Sequence, residues 1–285
     1  MELFMKTFLR FTALSLMGAI GLGLCTQSYA QTPDLLERIK AKKEIVIATE
    51  ARYAPFEYIE NGKIVGYDAD LMRAVMAQIP DVKVKQLDLP FQGLLPGLDT
   101  KAFDIVVTAI TINKERASHF SFTSPVAISM TGLLVKERDS TLNAAVDLDN
   151  KTVGSQTGSV QLQALVALDK QLKDSGKPGF KAIKQYVSFD EAYADLGSGR
   201  LDAVAQSVAN LGPLLKSRPG LFKVLPGSIG EQSYFAWAAR KDADSETLVK
   251  LFNDGIARAS ADGTLKQLQT KWFGSTMDIP SSVTP

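Results

Sequence analysis

The feature that most constrains the fold of this 285-residue chain is the order in which short apolar strands and amphipathic helices alternate. A helix is predicted over Leu35 to Lys42, then a buried strand over Glu44 to Thr49 and an aromatic loop from Tyr53 to Tyr58. Asn61-Gly62-Lys63 reads as a hairpin turn, and Asp68 as the N-cap of a helix over Ala69 to Gln78. Strand Val82 to Leu87, helix Gly93 to Thr100 and strand Asp104 to Thr108 continue the pattern. It resumes with strand Thr152 to Gly154, helix Val160 to Leu172, strand Lys181 to Tyr186, a capping box at Ser188 to Glu191 and strand Asp202 to Ala205. Such alternation specifies an α/β layer fold and excludes a β-sandwich or a helix bundle. The last segment, Phe235 to Trp272, supplies one strand and two helices, too little for a domain of its own. It has to pack on an earlier part of the chain, which makes the domain organisation discontinuous.

The N-terminus has the three parts of a secretory signal peptide. Lys6 and Arg10 charge its start, Phe11 to Leu24 is almost wholly apolar, and Ser28-Tyr29-Ala30 puts small residues three and one before a cut ahead of Gln31. The apolar run is shorter than the ~20 residues of a membrane span. Cys25 opens a lipoprotein alternative, but Leu24 stands before it where a small residue is expected. Cleavage after Ala30 removes Glu2, Lys6, Arg10 and the single cysteine, leaving 30 basic and 30 acidic residues. A balanced chain without basic runs gives no sign of nucleic-acid or anionic-membrane partners. An exported chain without cysteine relies on its core instead of disulfides. The single histidine, His119, rules out a multi-histidine metal centre and reads as the end of a helix entering a strand. No cofactor is expected.

Five separated motifs then resemble one family. Ala48-Thr49-Glu50-Ala51-Arg52-Tyr53-Ala54-Pro55-Phe56-Glu57 resembles the opening loop of the polar amino-acid solute-binding proteins of ABC importers, the bacterial extracellular solute-binding proteins of family 3. Gly66-Tyr67-Asp68-Ala69-Asp70-Leu71 is similar to their second signature, and Asp104 to Arg116, followed by Phe122-Thr123-Ser124-Pro125, to their third. Gly199 to Val204, and Asp262-Gly263-Thr264 with Lys271-Trp272-Phe273-Gly274, complete the series. The resemblance implies a two-lobed, Venus-flytrap α/β fold joined by two hinge strands. Lobe 1 would comprise residues 31–128 and 231–285 and lobe 2 residues 131–228, with the crossings near 127–131 and 228–233. Ligand would bind between the lobes, beyond the strand ends, and hinge closure would trap it.

An amino-acid ligand presents a carboxylate, an ammonium and a side chain. The resemblance assigns the carboxylate to Arg116, whose guanidinium forms a bidentate fork, with Thr111 adding a backbone N–H and a hydroxyl. From the other lobe, Gly158, Ser159 and Val160 open a helix whose N–H groups can face the same anion. Tyr53 and Phe91 form an aromatic wall, Thr108 offers its hydroxyl and Ala109 its carbonyl, while Pro55 and Phe56 pack the loop onto the lobe. Where many relatives pair the ammonium with an aspartate, this chain has Ser207, and Glu50 is the acid available to take over. A hydroxyl does not neutralise a buried cation, so two ligand classes stand open: an ordinary amino acid held by Glu50, or a derivative such as an opine or ectoine-like solute. The expected function is capture in the periplasm and delivery to an inner-membrane permease by a monomer without enzymatic activity. The alternatives are an extracellular sensing module, or a cyclohexadienyl-dehydratase-like enzyme using Glu50 as an acid.

Overall fold

In the computed structural model, which describes residues 32–284, Asp34 caps helix α1 (Leu35–Lys42) through a reciprocal pair of bonds with Glu37. The signal-peptide reading of residues 1–30 lies outside the described residues. Strand β1 (Glu44–Thr49) follows, then a small antiparallel sheet of β2 (Arg52–Tyr53), β3 (Glu57–Glu60) and β4 (Lys63–Val65). Asn61 and Gly62, with φ of 50° and 72°, form the tight turn between the last two.

Helix α2 (Tyr67–Met76) departs from expectation at its start. Its N-cap is Gly66, no side chain caps it, and Asp68 is buried in the first turn. The backbone explains this: Tyr67 and Asp68 donate their N–H groups to Pro55 and Phe56 carbonyls at 2.9 and 3.0 Å, which starts the helix early and turns Asp68 inward. Strand β5 (Lys83–Asp88), helix α3 (Phe91–Asp99), strand β6 (Ile105–Thr111), helix α4 (Lys114–His119) and strand β7 (Phe120–Phe122) complete the first half. His119 ends α4 on the surface.

Strand β8 (Ala127–Lys136) leads into a second α/β series. It contains β9 (Thr152–Gln156), α5 (Val160–Asp174), β10 (Ala182–Tyr186), α6 (Phe189–Ser198), β11 (Ala203–Ser207), α7 (Val208–Ser217) and β12 (Phe222–Val224). Ser188 is the N-cap of α6 but its side chain makes no capping bond, so the expected capping box does not form. Strand β13 (Ile229–Arg240) brings the chain back, followed by α8 (Glu246–Ala261) and α9 (Thr264–Phe273).

Ten strands make one sheet, with β10-β9-β11-β8-β13-β6-β1-β5 as its main path. At one end β1 runs parallel to β5 and β6, and at the other β9 runs parallel to β10 and β11. The long antiparallel strands β8 and β13 lie between the two series and pair with both. Their ladder is regular from Ser233–Ser129 to Phe235–Ala127 and shifts register before Ile229–Thr131. Parallel strands need cover on both faces, and β6 has it. Ile105, Val107 and Ala109 face the large core under α2 and α8, while Val106 and Ile110 face a second cluster with Leu94 and Leu98 of α3. A third cluster, containing Val153, Leu165, Leu168 and Ala203, seals the second series beneath α5. The C-terminal helices pack on the first half: α8 contacts α1 and α2, α9 contacts α2 and α8, and Phe252 meets the buried Trp237 ring edge-on at 5.7 Å.

Candidate functional site

The carboxyl ends of both parallel series converge on one cavity of about 280 Å³. Its wall takes Glu50 from the end of β1, Thr108, Ala109 and Thr111 from β6, Phe91 from the start of α3 and Arg116 from α4. The opposite side contributes Gln156 from the end of β9, with Ser159, Val160 and Gln161 where α5 begins, and Phe235 of β13 closes the floor. Tyr53 stands at the side.

Arg116 spans the gap. Asn113 caps α4 by accepting the Arg116 backbone N–H at 2.8 Å, which fixes where that side chain starts. Its Nη1 donates to the Thr111 carbonyl and its Nη2 to the Gly158 carbonyl, each at 2.9 Å. The guanidinium also lies over the Phe91 ring, 5.6 Å from its centroid. Burial lowers its pKa to about 10, so the cation is desolvated by the fold yet still charged at neutral pH. With five N–H donors on the group, donors remain for a carboxylate after these two bonds. The site as a whole is therefore a desolvated cation facing the start of a helix.

Glu50 makes the second bridge. Gln156 Nε2 donates to Glu50 Oε1 and, at 3.1 Å, to the Val187 carbonyl. Burial pushes the Glu50 carboxyl up to about 8, against the lesser opposing effects of the Gln156 amide and Arg52. A folded-state pKa above the ordinary 4.5 gives a contribution to stability that is full below that value and lost as pH rises toward about 8. Glu50→Gln is expected to flatten that part of the pH–stability curve. Urea midpoints measured from about pH 5 to 8 check it, and an unchanged slope would count against a protonated Glu50.

Tyr53 makes the third bridge. Its hydroxyl donates to Gln206 Oε1 at 3.1 Å, and Gln206 Nε2 donates to the Tyr193 hydroxyl at 2.8 Å. The Tyr53 ring lies 5.7 Å from Phe56 on its own side and 5.6 Å from Phe189 of α6 on the other. Thr111 ties its hydroxyl to Ser129 of β8 at 2.9 Å, so the ligand-facing end of β6 is linked to a crossing strand.

Two expected residues stand apart from the wall. Gly158 contributes only the carbonyl that Arg116 holds. Ser207 is fully buried at the start of α7, its N–H donates to Gln206 Oε1 at 2.6 Å, and its hydroxyl has no partner. The Ser159 hydroxyl caps α5 by accepting from Leu162 N–H, and it donates to the Gln156 carbonyl at 2.7 Å. Gln156, Gln161 and Phe235 were not among the expected site residues. Gln156 occupies the end of β9 as Glu50 follows β1, a signal the strand-end rule contains. Phe235 offers no comparable local signal. Among the described residues no cluster of three or more His, Cys, Asp or Glu is arranged to hold a metal, and no helix is long and apolar enough to cross a membrane.

The family model for bacterial extracellular solute-binding proteins, family 3, matches residues 45–275. The arginine-binding extracellular protein ArtP of Bacillus subtilis is 32% identical, over 81% of this chain and 87% of that one. The L-cystine-binding protein TcyJ of Escherichia coli is 29% identical, over 92% and 95%. Among solved structures, the ancestral amino acid-binding protein AncCDT-1, described as a precursor of cyclohexadienyl dehydratase, superposes with a TM-score of 0.73 at 27% identity, covering 84% of this chain and 99% of that one.

Proposed function

Since the chain belongs to family 3 of the bacterial extracellular solute-binding proteins, we propose that it captures a polar amino acid or amino-acid derivative in the periplasm and hands it to an ABC permease. The observation that carries this reading is Arg116, a buried cation with donors to spare in a cavity that both α/β series build. The ligand carboxylate takes the guanidinium fork and the N–H groups that open α5 at Ser159 and Val160. The ligand's body lies between Tyr53 and Phe91. Its amine meets Glu50, Thr108 and the Ala109 carbonyl, since Ser207 stands outside the wall.

The lobes in this reading are residues 31–128 with 231–285, and residues 131–228, hinged near 127–131 and 228–233. A ligand that contacts both lobes favours the closed arrangement, in which Arg116–Gly158, Glu50–Gln156 and Tyr53–Gln206 meet. The chain acts as a monomer, reaches the periplasm by cleavage after Ala30 and performs no chemistry on its ligand. Glu50 is the one acid in the wall, and its carboxyl is engaged by an amide.

The test is a thermal-shift screen of refolded, ligand-stripped protein against amino acids, opines, ectoines and polyamines. Ligand at a thousandfold excess over Kd should stabilise the native state by ~4 kcal/mol. A strong shift with unmodified L-arginine or L-cystine would identify an ordinary amino acid held by Glu50. A shift confined to opines or ectoines would identify the derivative class. No shift with any class would overturn the transport reading in favour of a sensing module.

A further inference from the structure

Two acids that the ligand pocket does not use are enclosed beside it. Glu57 of β3 and Asp68 of α2 are 0% and 1% exposed, and none of their four carboxyl oxygens makes a hydrogen bond of good geometry. They come from the two motifs that the ligand contacts leave unexplained, Phe56-Glu57 and Gly66-Tyr67-Asp68. The backbone forces them together. Gly66, at φ 130°, runs so close to Phe56 that a Cβ there would stand 2.2 Å from its carbonyl oxygen. The bonds from Tyr67 N–H to Pro55 and from Asp68 N–H to Phe56 complete the seam.

Each carboxyl acts on the other, and neither is in a salt bridge among the described residues. Burial raises both: Asp68 to about 7, and Glu57 well above its ordinary value, with the Asp68 charge adding to the rise. The nearest donors are the Ala109 backbone N–H, which acts on Glu57, and the Trp237 indole, which acts on Asp68. The other titratable groups within influence are Glu50 and Tyr53, coupled to Glu57, and Tyr67, coupled to Asp68. Two adjacent carboxyls in a dry core do not both ionise; one proton between them lets one donate while the pair carries a single charge.

Ala109 needs what this pair offers. Strand β6 pairs with β1 only at Ile105 and Val106, and its pairing with β13 shifts register between Ala236 and Ala238. Ala109 lies outside both paired registers, at the strand end that lines the cavity. Tyr53, also in the wall, pairs with Glu57 across β2 and β3. We propose that Glu57 and Asp68 are positioning residues of the ligand site: as a carboxyl pair sharing one proton, they fix the Ala109 peptide where β6 leaves its ladders. The assignment of Ala109 to a ligand site rests on the solute-binding reading above.

The test uses ligand-free protein, so it succeeds or fails independently of the transport reading. Wild type, Asp68→Asn and Glu57→Gln are compared by infrared difference spectroscopy and by ¹H–¹⁵N resonances of the Ala109 amide and the Trp237 indole across a neutral-to-alkaline titration. In wild type, loss of a protonated-carboxyl band should coincide with movement of both resonances. Asp68→Asn supplies a permanent donor, so it should remove the band and flatten both titrations while the rest of the spectrum keeps its dispersion. Glu57→Gln, if Asp68→Asn does not fold, should abolish the Ala109 response in the same way. An Ala109 resonance that ignores both pH and either substitution would overturn the proposal. So would a wild-type spectrum without a protonated-carboxyl band at neutral pH.

Discussion

Arg116→Ala abolishes measurable binding of carboxylate ligands while the thermal transition of the ligand-free protein moves little. Truncating one partner of a buried, hydrogen-bonded charge pair costs about 2–5 kcal/mol, roughly thirtyfold to several-thousandfold in Kd. The upper part of that range applies here, because the guanidinium is desolvated and the opposite side of the cavity presents helix N–H groups, which do not replace a positive charge. The effect on the fold is small for the same reason. Removing Arg116 leaves the Thr111 and Gly158 carbonyls without this donor, but it also removes a buried cation that has no acidic partner in the cavity within salt-bridge distance. Arg116→Lys separates charge from geometry. It keeps the cation, loses the planar fork and should recover only part of the affinity. Calorimetric titration with the ligand found by thermal shift measures both variants; an affinity for Arg116→Ala equal to wild type would remove the arginine from the site.

Gly66→Ala has the largest expected effect on the fold. A φ of 130° is closed to residues with a Cβ, and the added atom would stand 2.2 Å from the Phe56 carbonyl oxygen, 2.7 Å from its carbon and 2.9 Å from the Glu57 Cα. All three are backbone atoms, which cannot swing aside as a side chain does. The seam from Pro55-Phe56 to Tyr67-Asp68 has to open, and with it the burial of Glu57 and Asp68. A loss of at least ~3 kcal/mol is expected, which for a chain of this size lowers Tm by roughly 6–12 °C. Gly62→Asn is the control: φ is 72°, a value asparagine tolerates, and a Cβ there meets nothing within 4 Å. Circular-dichroism melts distinguish the two, and equal small shifts would mean that the Gly66 seam adapts more easily than its geometry allows.

The alternation of strands and helices was legible because its signals are local: two-residue and 3.6-residue periods, and capping residues within one turn. Those signals misread Asp68 and Ser188. Both look like caps in their own neighbourhoods, yet Asp68 is drawn inside by carbonyls more than ten residues upstream, and Ser188 makes no side-chain bond to its helix. Most of the cavity wall was legible in a different way, through spaced motifs that resemble a family and carry Arg116, Thr111, Tyr53 and Phe91 with them. What composition and local pattern determined is therefore an α/β chain with balanced charge and a discontinuous C-terminal segment. Only the tertiary structure decided that Gln156 meets Glu50 across 106 positions, that Phe235 closes the floor, that Ser207 stands outside the wall, and that Glu57 and Asp68 face each other. The physical reason is range. A helix or strand preference is settled by neighbours a few residues away, whereas the protonation of Glu50 and the pairing of two buried acids depend on which distant surfaces exclude water from them.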